Sequence, residues 1–199
     1  MVHPATELNF VNENVGYGVF ASAFIPKGTV TYAKDPLEIS ITQKRYQKLK
    51  PQWKSVIDKY SYINEKGIML LSWDIAKYMN HCCHCNTMST GWGFEIALRD
   101  INAGEEITDE YGLFNDDIDM PLLCKHEDCR GFVRSDDLLH YYPVWDKQIK
   151  GALAFFFQVE QPLIDLVSKK SVKEIRNYLS GKGEYKSVLS LRTQSRQRA

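Results

Sequence analysis

The chain has no surplus of charge of either sign: across 199 residues, 25 Lys and Arg balance 25 Asp and Glu. No global field draws it to nucleic acid or to a membrane surface, so neither partner is expected. A long apolar run is also missing. The most apolar stretch, residues 151–159, is about half of the ~20 residues that cross a bilayer. The opening Met1-Val2-His3-Pro4 carries neither the basic nor the apolar region of a secretory leader. The expected setting is therefore intracellular, nucleus or cytoplasm, and not secreted. No internal repeat is visible. Cysteines are few and odd in number, five, clustered as Cys82, Cys83, Cys85 and Cys124, Cys129. In a reducing compartment such clusters point to metal binding or reactive thiols more than to disulfides. What is present, 44% apolar residues with 12% aromatics, suits one globular domain with a real core.

Short strands and turns dominate up to about residue 140. Gly16 to Ala21 reads as a strand, Pro26-Lys27-Gly28 as a tight turn, and Thr29 to Ala33 as the next strand. Residues 42–60 turn helical, with Tyr46, Leu49, Trp53, Val56, Ile57 and Tyr60 at spacings of three and four. Pro51 divides that segment in two. Strands are expected again at 68–72, 93–98 and 106–109, with turns at Glu65-Lys66-Gly67 and Asn102-Ala103-Gly104. After Pro143 the pattern is helical: Trp145, Ile149, Leu153, Phe156 and Val159 share one face. Ser171-x-x-Glu174 reads as a capping box for a later helix. Residues 143–199 are thus expected to form a helical appendage ending in a basic tail.

Four groups of residues carry chemistry. Gly16-Tyr17-Gly18 lets backbone approach a ligand closely, although two glycines around an aromatic also make an ordinary bulge. Asn80-His81 offers donors and acceptors for a polar ligand, or a buried pair that locks a loop. Tyr111, closing the acidic strand before Gly112, is either a half-buried core residue or a hydroxyl aimed into a site. Cys124-x4-Cys129 with one of Cys82, Cys83 or Cys85, and His126 or His84, supplies four ligands for tetrahedral zinc, or else thiols packed in the core. Residues 105–119 carry seven acids and no base, which suits a basic partner or a solvated face.

In this order, these pieces resemble the SET domain of protein lysine methyltransferases. Gly16-Tyr17-Gly18-Val19-Phe20-Ala21 and Ile25-Pro26-Lys27-Gly28 resemble the family's opening. Tyr78-Met79-Asn80-His81 with Cys83 and Asn86 resembles its Asn-His-Ser-Cys-x-Pro-Asn motif. Residues 103–112, ending Thr108-Asp109-Glu110-Tyr111-Gly112, resemble its closing motif, and Cys124-x4-Cys129-Arg130-Gly131 resembles half of a post-SET zinc module. The resemblance implies a mostly β (α+β) fold, a β-clip of short strands with a knot-like C-terminal closure. It implies a SET domain over residues 8–140, with an insert at about 38–72 and a post-SET segment at about 122–134. It also implies S-adenosylmethionine held by Gly16, Tyr17, Gly18, Asn80, His81 and Tyr111, with Tyr111 as the catalytic residue. The implied substrate is a lysine in a protein or peptide, such as a basic histone tail. Zinc would be held by Cys83, Cys124 and Cys129, with His126 a candidate fourth ligand.

The chain departs from the family at identifiable places. Leu122 stands at the first post-SET cysteine, Cys82 and Cys85 replace Ser and Pro, and Asp109 stands where an aromatic often lines the lysine channel. These departures keep two other readings open: a SET-like module that binds peptide without catalysis, and a metal or thiol-redox protein built on the cysteines.

Overall fold

In the computed structural model, residues 1–115, 119–124 and 126–193 are described. Short strands in several small sheets make up most of the first two thirds, and helices follow. This is the expected mostly β architecture. Strands β1 (Thr6–Asn12) and β2 (Gly16–Ala21) form a hairpin, turned by Gly16 at φ +86°. Their sheet continues through β10 (Glu106–Asp109) to β7 (Asn80–His81), in the order β1-β2-β10-β7. The β10–β7 contact is parallel, with Thr108 opposite Asn80 and Asp109 opposite His81.

A second sheet has the order β3-β9-β8, from β3 (Val30–Ala33), β8 (Thr87–Ser89) and β9 (Phe94–Ala97). β3 and β9 are buried along their whole length, as expected of strands covered on both faces. The third sheet, β4-β6-β5, is built by the insert: β4 (Ile39–Ile41), β5 (Ser61–Ile63) and β6 (Met69–Leu71). Helices α1 (Gln43–Gln47) and α2 (Pro51–Tyr60) lie between β4 and β5. Thr42 caps α1 and Pro51 occupies the first turn of α2, so the break falls where proline's missing N–H costs nothing. The apolar residues of this segment do not form a buried stripe: in α2 only Ile57 is buried, while Trp53 and Val56 are exposed. A small pair, β11 (Met120–Pro121) and β12 (Phe132–Val133), brackets the cysteine loop.

Helix α3 runs Asp137–Leu153, so it begins six residues before Pro143 and carries that proline inside it. The Asp137 carboxylate accepts from the Arg134 amide at 3.0 Å, and Leu138 is buried, which starts the helix early. The expected boundary between residues 140 and 143 therefore falls within a helix. Phe156 is buried in the turn that follows, beyond the end of α3, and Val159 is only half-buried. Helix α4 spans Lys169–Leu179 and is capped by Ser168, whose hydroxyl accepts from the Ser171 amide. The capping box expected at Ser171 is thus displaced by one turn.

The helices complete the larger core. Trp145, Ile149, Leu153, Phe156, Ile175 and Val188 pack with Val30, Met88, Phe94 and Ile96 of the second sheet. Gly28, at φ +90°, sits against the end of α3, where a Cβ would come within 2.7 Å of Phe155 Cβ. A smaller core joins Val19, Ala21, Ile25, Met79, Ile101 and Ile107 beneath the first sheet. No helix among the described residues is long and apolar enough to cross a membrane.

Candidate active site

The parallel pairing of β7 with β10 brings Asn80, His81 and Tyr111 together across 30 residues of sequence. Asn86, itself buried, fixes this arrangement. Its side chain donates to the Glu106 carbonyl at 2.8 Å and accepts from the Thr108 amide at 2.9 Å. The Asn80 amide donates to the Tyr17 carbonyl (3.1 Å) and to Glu106 Oε1 (2.8 Å), tying β7 to the glycine hairpin. Gly18 is needed there. A Cβ would press on the Glu106 carboxylate, lie 2.9 Å from Val11 Cγ2 and 3.0 Å from Asn80 Nδ2.

Tyr111 opens a 3₁₀ turn, Tyr111–Leu113, at the end of β10. Its amide donates to His81 Nδ1 at 3.2 Å and its hydroxyl donates to the Met79 carbonyl at 2.6 Å. The side chain is thereby anchored at both ends. Burial, reinforced by the nearby Arg130 charge, lowers the His81 pKa to about 4, so the imidazole is neutral at pH 7. Glu110, the neighbour of Tyr111, is also buried. It accepts from the Gly112 amide at 2.8 Å and pairs with Arg130 at 2.6 Å. Arg130 in turn lies 3.5 Å from Asp137 and stacks over the Tyr141 and Trp145 rings.

Two cavities meet at Tyr111. A cleft of about 470 Å³ is lined by Val11, Asn12, Asn80, His81, Glu106 and Leu122, among others, and by Tyr111. A narrower one of about 130 Å³ is lined by Tyr111, Met79, Glu95, Asp109 and Tyr32, and by Asp58 to Tyr62 from the insert. Of the residues expected to hold a cofactor, Asn80, His81 and Tyr111 face the larger cleft. Gly16, Tyr17 and Gly18 lie beneath or beside it, and the hairpin contributes Val11, Asn12, Asn14 and Val15 instead. Sequence reasoning missed Glu95, Met79 and Arg130. The one available signal was Glu95, a lone acid inside the apolar strand Phe94-Glu95-Ile96-Ala97.

The three cysteines singled out for metal converge. Cys83 Sγ is 3.5 Å from Cys124 Sγ and 3.7 Å from Cys129 Sγ, and Cys124 and Cys129 are 2.9 Å apart. Burial pushes the Cys83 thiol up, while the hydrogen bond with Cys124 draws Cys129 down. His81, Cys83 and Cys124 also form a group whose ligand atoms lie within 4.8 Å of one another. His126 turns elsewhere: its Nε2 lies 3.2 Å from Cys82 Sγ, and its ring stacks on His84 at 4.0 Å. Cys85 packs against the larger core, and burial raises its thiol pKa, which makes it a structural residue.

The SET domain family matches residues 16–112. Over 64 residues, 29% of this chain, the sequence is 41% identical to "Histone-lysine N-methyltransferase set1" of Dictyostelium discoideum. Over 143 residues, 60% of this chain, it is 32% identical to the "Variant-silencing SET domain-containing protein" of Plasmodium falciparum (isolate 3D7). The chain covers only 4% and 5% of those relatives' own lengths. Among solved structures, the methyltransferase domain of human Histone-lysine N-methyltransferase SETMAR superposes with a TM-score of 0.46 at 16% identity, covering 67% of this chain and 58% of that one. Residues 16–112 of the chain are thus a SET domain.

Proposed function

We propose that the chain is an S-adenosylmethionine-dependent protein-lysine N-methyltransferase. The observation that carries this reading is Tyr111 as the shared wall of two cavities. A donor cleft and an acceptor channel that meet at one hydroxyl suit transfer of a small group between ligands entering from different sides. The cleft fits S-adenosylmethionine in size and chemistry. Val11, Val15, Leu122 and Leu123 offer an apolar wall, and Asn80 and the Glu106 carboxylate offer polar partners. When bound, S-adenosylmethionine supplies an electrophilic sulfonium methyl group. The Tyr111 hydroxyl directs its proton to the Met79 carbonyl, which turns its oxygen toward the acceptor role of orienting the amine's N–H and the methyl's C–H bonds. The chain's contribution is then alignment, which alone lowers a two-ligand barrier substantially.

The acceptor in this reading is a lysine of a basic peptide, laid against the insert that walls the channel. Histone tails are the acceptor class suggested by the name of the Dictyostelium relative, and an intracellular setting, nuclear or cytoplasmic, follows. The same reading gives zinc to Cys83, Cys124 and Cys129. Zn–S bonds of about 2.3 Å place tetrahedral sulfurs roughly 3.8 Å apart, close to two of the three separations.

The test is incubation of cell lysate with labelled S-adenosylmethionine, followed by mass-spectrometric mapping of modified lysines. The expected result is lysine methylation by the wild type and a loss of about a hundredfold or more in Tyr111→Phe. Peptide binding without methyl transfer would support the non-catalytic reading instead, and full activity in Tyr111→Phe would remove the role given to its hydroxyl.

A further inference from the structure

The acceptor channel contains two acids that the proposed alignment of methyl donor and amine does not use. Glu95 on β9 and Asp109 at the end of β10 are both at least nine-tenths buried and both line the channel beside Tyr111. Asp109 Oδ1 accepts from the Glu110 amide at 2.7 Å. Among the described residues no donor reaches Asp109 Oδ2 or Glu95 Oε2. Both carboxyl groups open on the same cavity, each with one buried oxygen that meets no donor, and a side-chain hydrogen bond between them would meet that need. Two carboxylates cannot satisfy one another, but a carboxylic acid and a carboxylate can, by holding one proton between them.

The surroundings favour that singly charged state. Tyr32 on β3 and Tyr62 on β5 line the same channel, and Tyr32 already donates to Glu38 at 2.6 Å. Glu38, Glu110 and the chain's amino group act on the pair through space, and the two acids outnumber the one base. Burial pushes both acids up. Lys59 and Lys77 also line the channel, and the Lys77 ammonium is engaged by the Trp73 and Asp74 carbonyls.

We propose that Glu95 and Asp109 are the amine-receiving group of this channel: a proton-sharing pair that binds the entering lysine ammonium and accepts a proton from it. The inference rests on the methyltransferase reading and assigns the proton transfer that reading requires. An ammonium has no lone pair and cannot attack. One N–H bond breaks as an O–H bond forms on the pair, leaving a neutral amine and two carboxylic acids. The amine lone pair then forms the new C–N bond to the methyl group of a sulfonium donor. The C–S bond breaks with its electrons on sulfur, leaving a neutral thioether and a methylated ammonium. Charge is conserved at each step, and the pair returns its extra proton to solvent after product leaves. Each methyl added to the nitrogen removes an N–H donor and sets a methyl group against a buried carboxyl oxygen, so the pair favours unmethylated lysine.

The test uses the full chain with S-adenosylmethionine and three degenerate peptide libraries, centred on lysine, monomethyl-lysine or dimethyl-lysine. The wild type should prefer the unmethylated library by roughly tenfold or more over the dimethylated one. Asp109→Asn should lose about a hundredfold in kcat/KM near pH 7. It should then regain activity about tenfold per pH unit toward the ordinary lysine pKa of about 10.4, while the wild type levels off well below it. Infrared spectroscopy of the free protein gives a readout without substrate: a protonated-carboxyl band at neutral pH, lost in Glu95→Gln. Matching pH profiles in wild type and Asp109→Asn, or no such band in the wild type, would overturn the pair's role and leave the methyltransferase reading intact. No methyl transfer by the wild type, with S-adenosylmethionine still bound, would remove the methyltransferase reading and this inference with it.

Discussion

Arg130→Met tests how the site is held. Arg130 is 12% exposed and pairs with Glu110, 2% exposed, and with Asp137, 4% exposed. Removing one member of a buried ion pair costs about 3–5 kcal/mol, because the partner charge stays buried and unpaired. Glu110 keeps the Gly112 amide at 2.8 Å, which favours the lower end. Stacking of the guanidinium on Tyr141 and Trp145 adds about 0.5–1 kcal/mol, and methionine preserves most of the volume. The expected loss is therefore about 3–4 kcal/mol, which for a chain of this size lowers Tm by roughly 10 °C. The loss should also depend on pH. Burial leaves Glu110 titrating above its ordinary value despite Arg130, so the native state holds that proton more tightly than the unfolded chain. Stability from this group is present below the ordinary carboxylate range and lost as pH rises through the raised value. Without Arg130 the value rises further, so the deficit should be larger near about pH 8 than near about pH 5. Urea denaturation of both proteins at the two pH values measures it. A deficit below about 1 kcal/mol, the range of exposed pairs, or one that grows toward acid, would refute the reasoning.

Other expectations follow from single contacts. Gly18→Ala should weaken S-adenosylmethionine binding by tenfold or more in calorimetry with little change in circular dichroism, since its Cβ meets Glu106, Val11 and Asn80 beneath the cleft. His81, neutral in the fold with a pKa of about 4, should cost about 3 kcal/mol of stability as pH falls from about 6.5 through 4, because the unfolded chain takes up the proton first. A His81→Gln variant should flatten that part of the stability curve measured by denaturant titration. Cys83→Ser should abolish zinc in elemental analysis of protein purified without chelator, whereas Cys85→Ala should leave the zinc content unchanged.

The strands and turns were legible because their signals are local. Gly16, Gly28, Gly67 and Gly104 all take positive φ at turns, and Pro51 starts the second helix of the insert. Helix starts were less legible. Ser168 and Ser171 are both serines three residues before a helix-compatible position, and only the chain's path decides that Ser168 caps. Pro143 signals a break, yet Asp137 and Leu138 had already begun α3 against the core. Asn80, His81 and Tyr111, singled out through their motif, all line the larger cleft. The pair Glu95–Asp109 was not singled out, because its members are 14 residues apart on different strands and only burial makes a carboxylate informative. The same holds for Cys85, indistinguishable by spacing from Cys83 until the structure places one against the larger core and the other beside Cys124 and Cys129.

The helices after residue 136 are bound to the site as closely as the strands are. A Cβ at position 112 would come within 2.7 Å of the Trp145 ring and 3.1 Å of Asp137 Cβ, so α3 packs directly on the residue that follows Tyr111. Arg130, leaving the cysteine loop, joins Glu110 to Asp137 across the same contact. The turn carrying Tyr111 is therefore gripped from three directions: by the hydrogen bonds to His81 and Met79, by Glu110 and Arg130 behind it, and by Trp145 beneath Gly112. A hydroxyl that aligns two ligands, the role proposed for Tyr111, tolerates little movement. Gly112 lets the helix come close enough to supply that restraint, and this ties the stripe of Trp145, Ile149 and Leu153 to the role proposed for Tyr111 through packing alone.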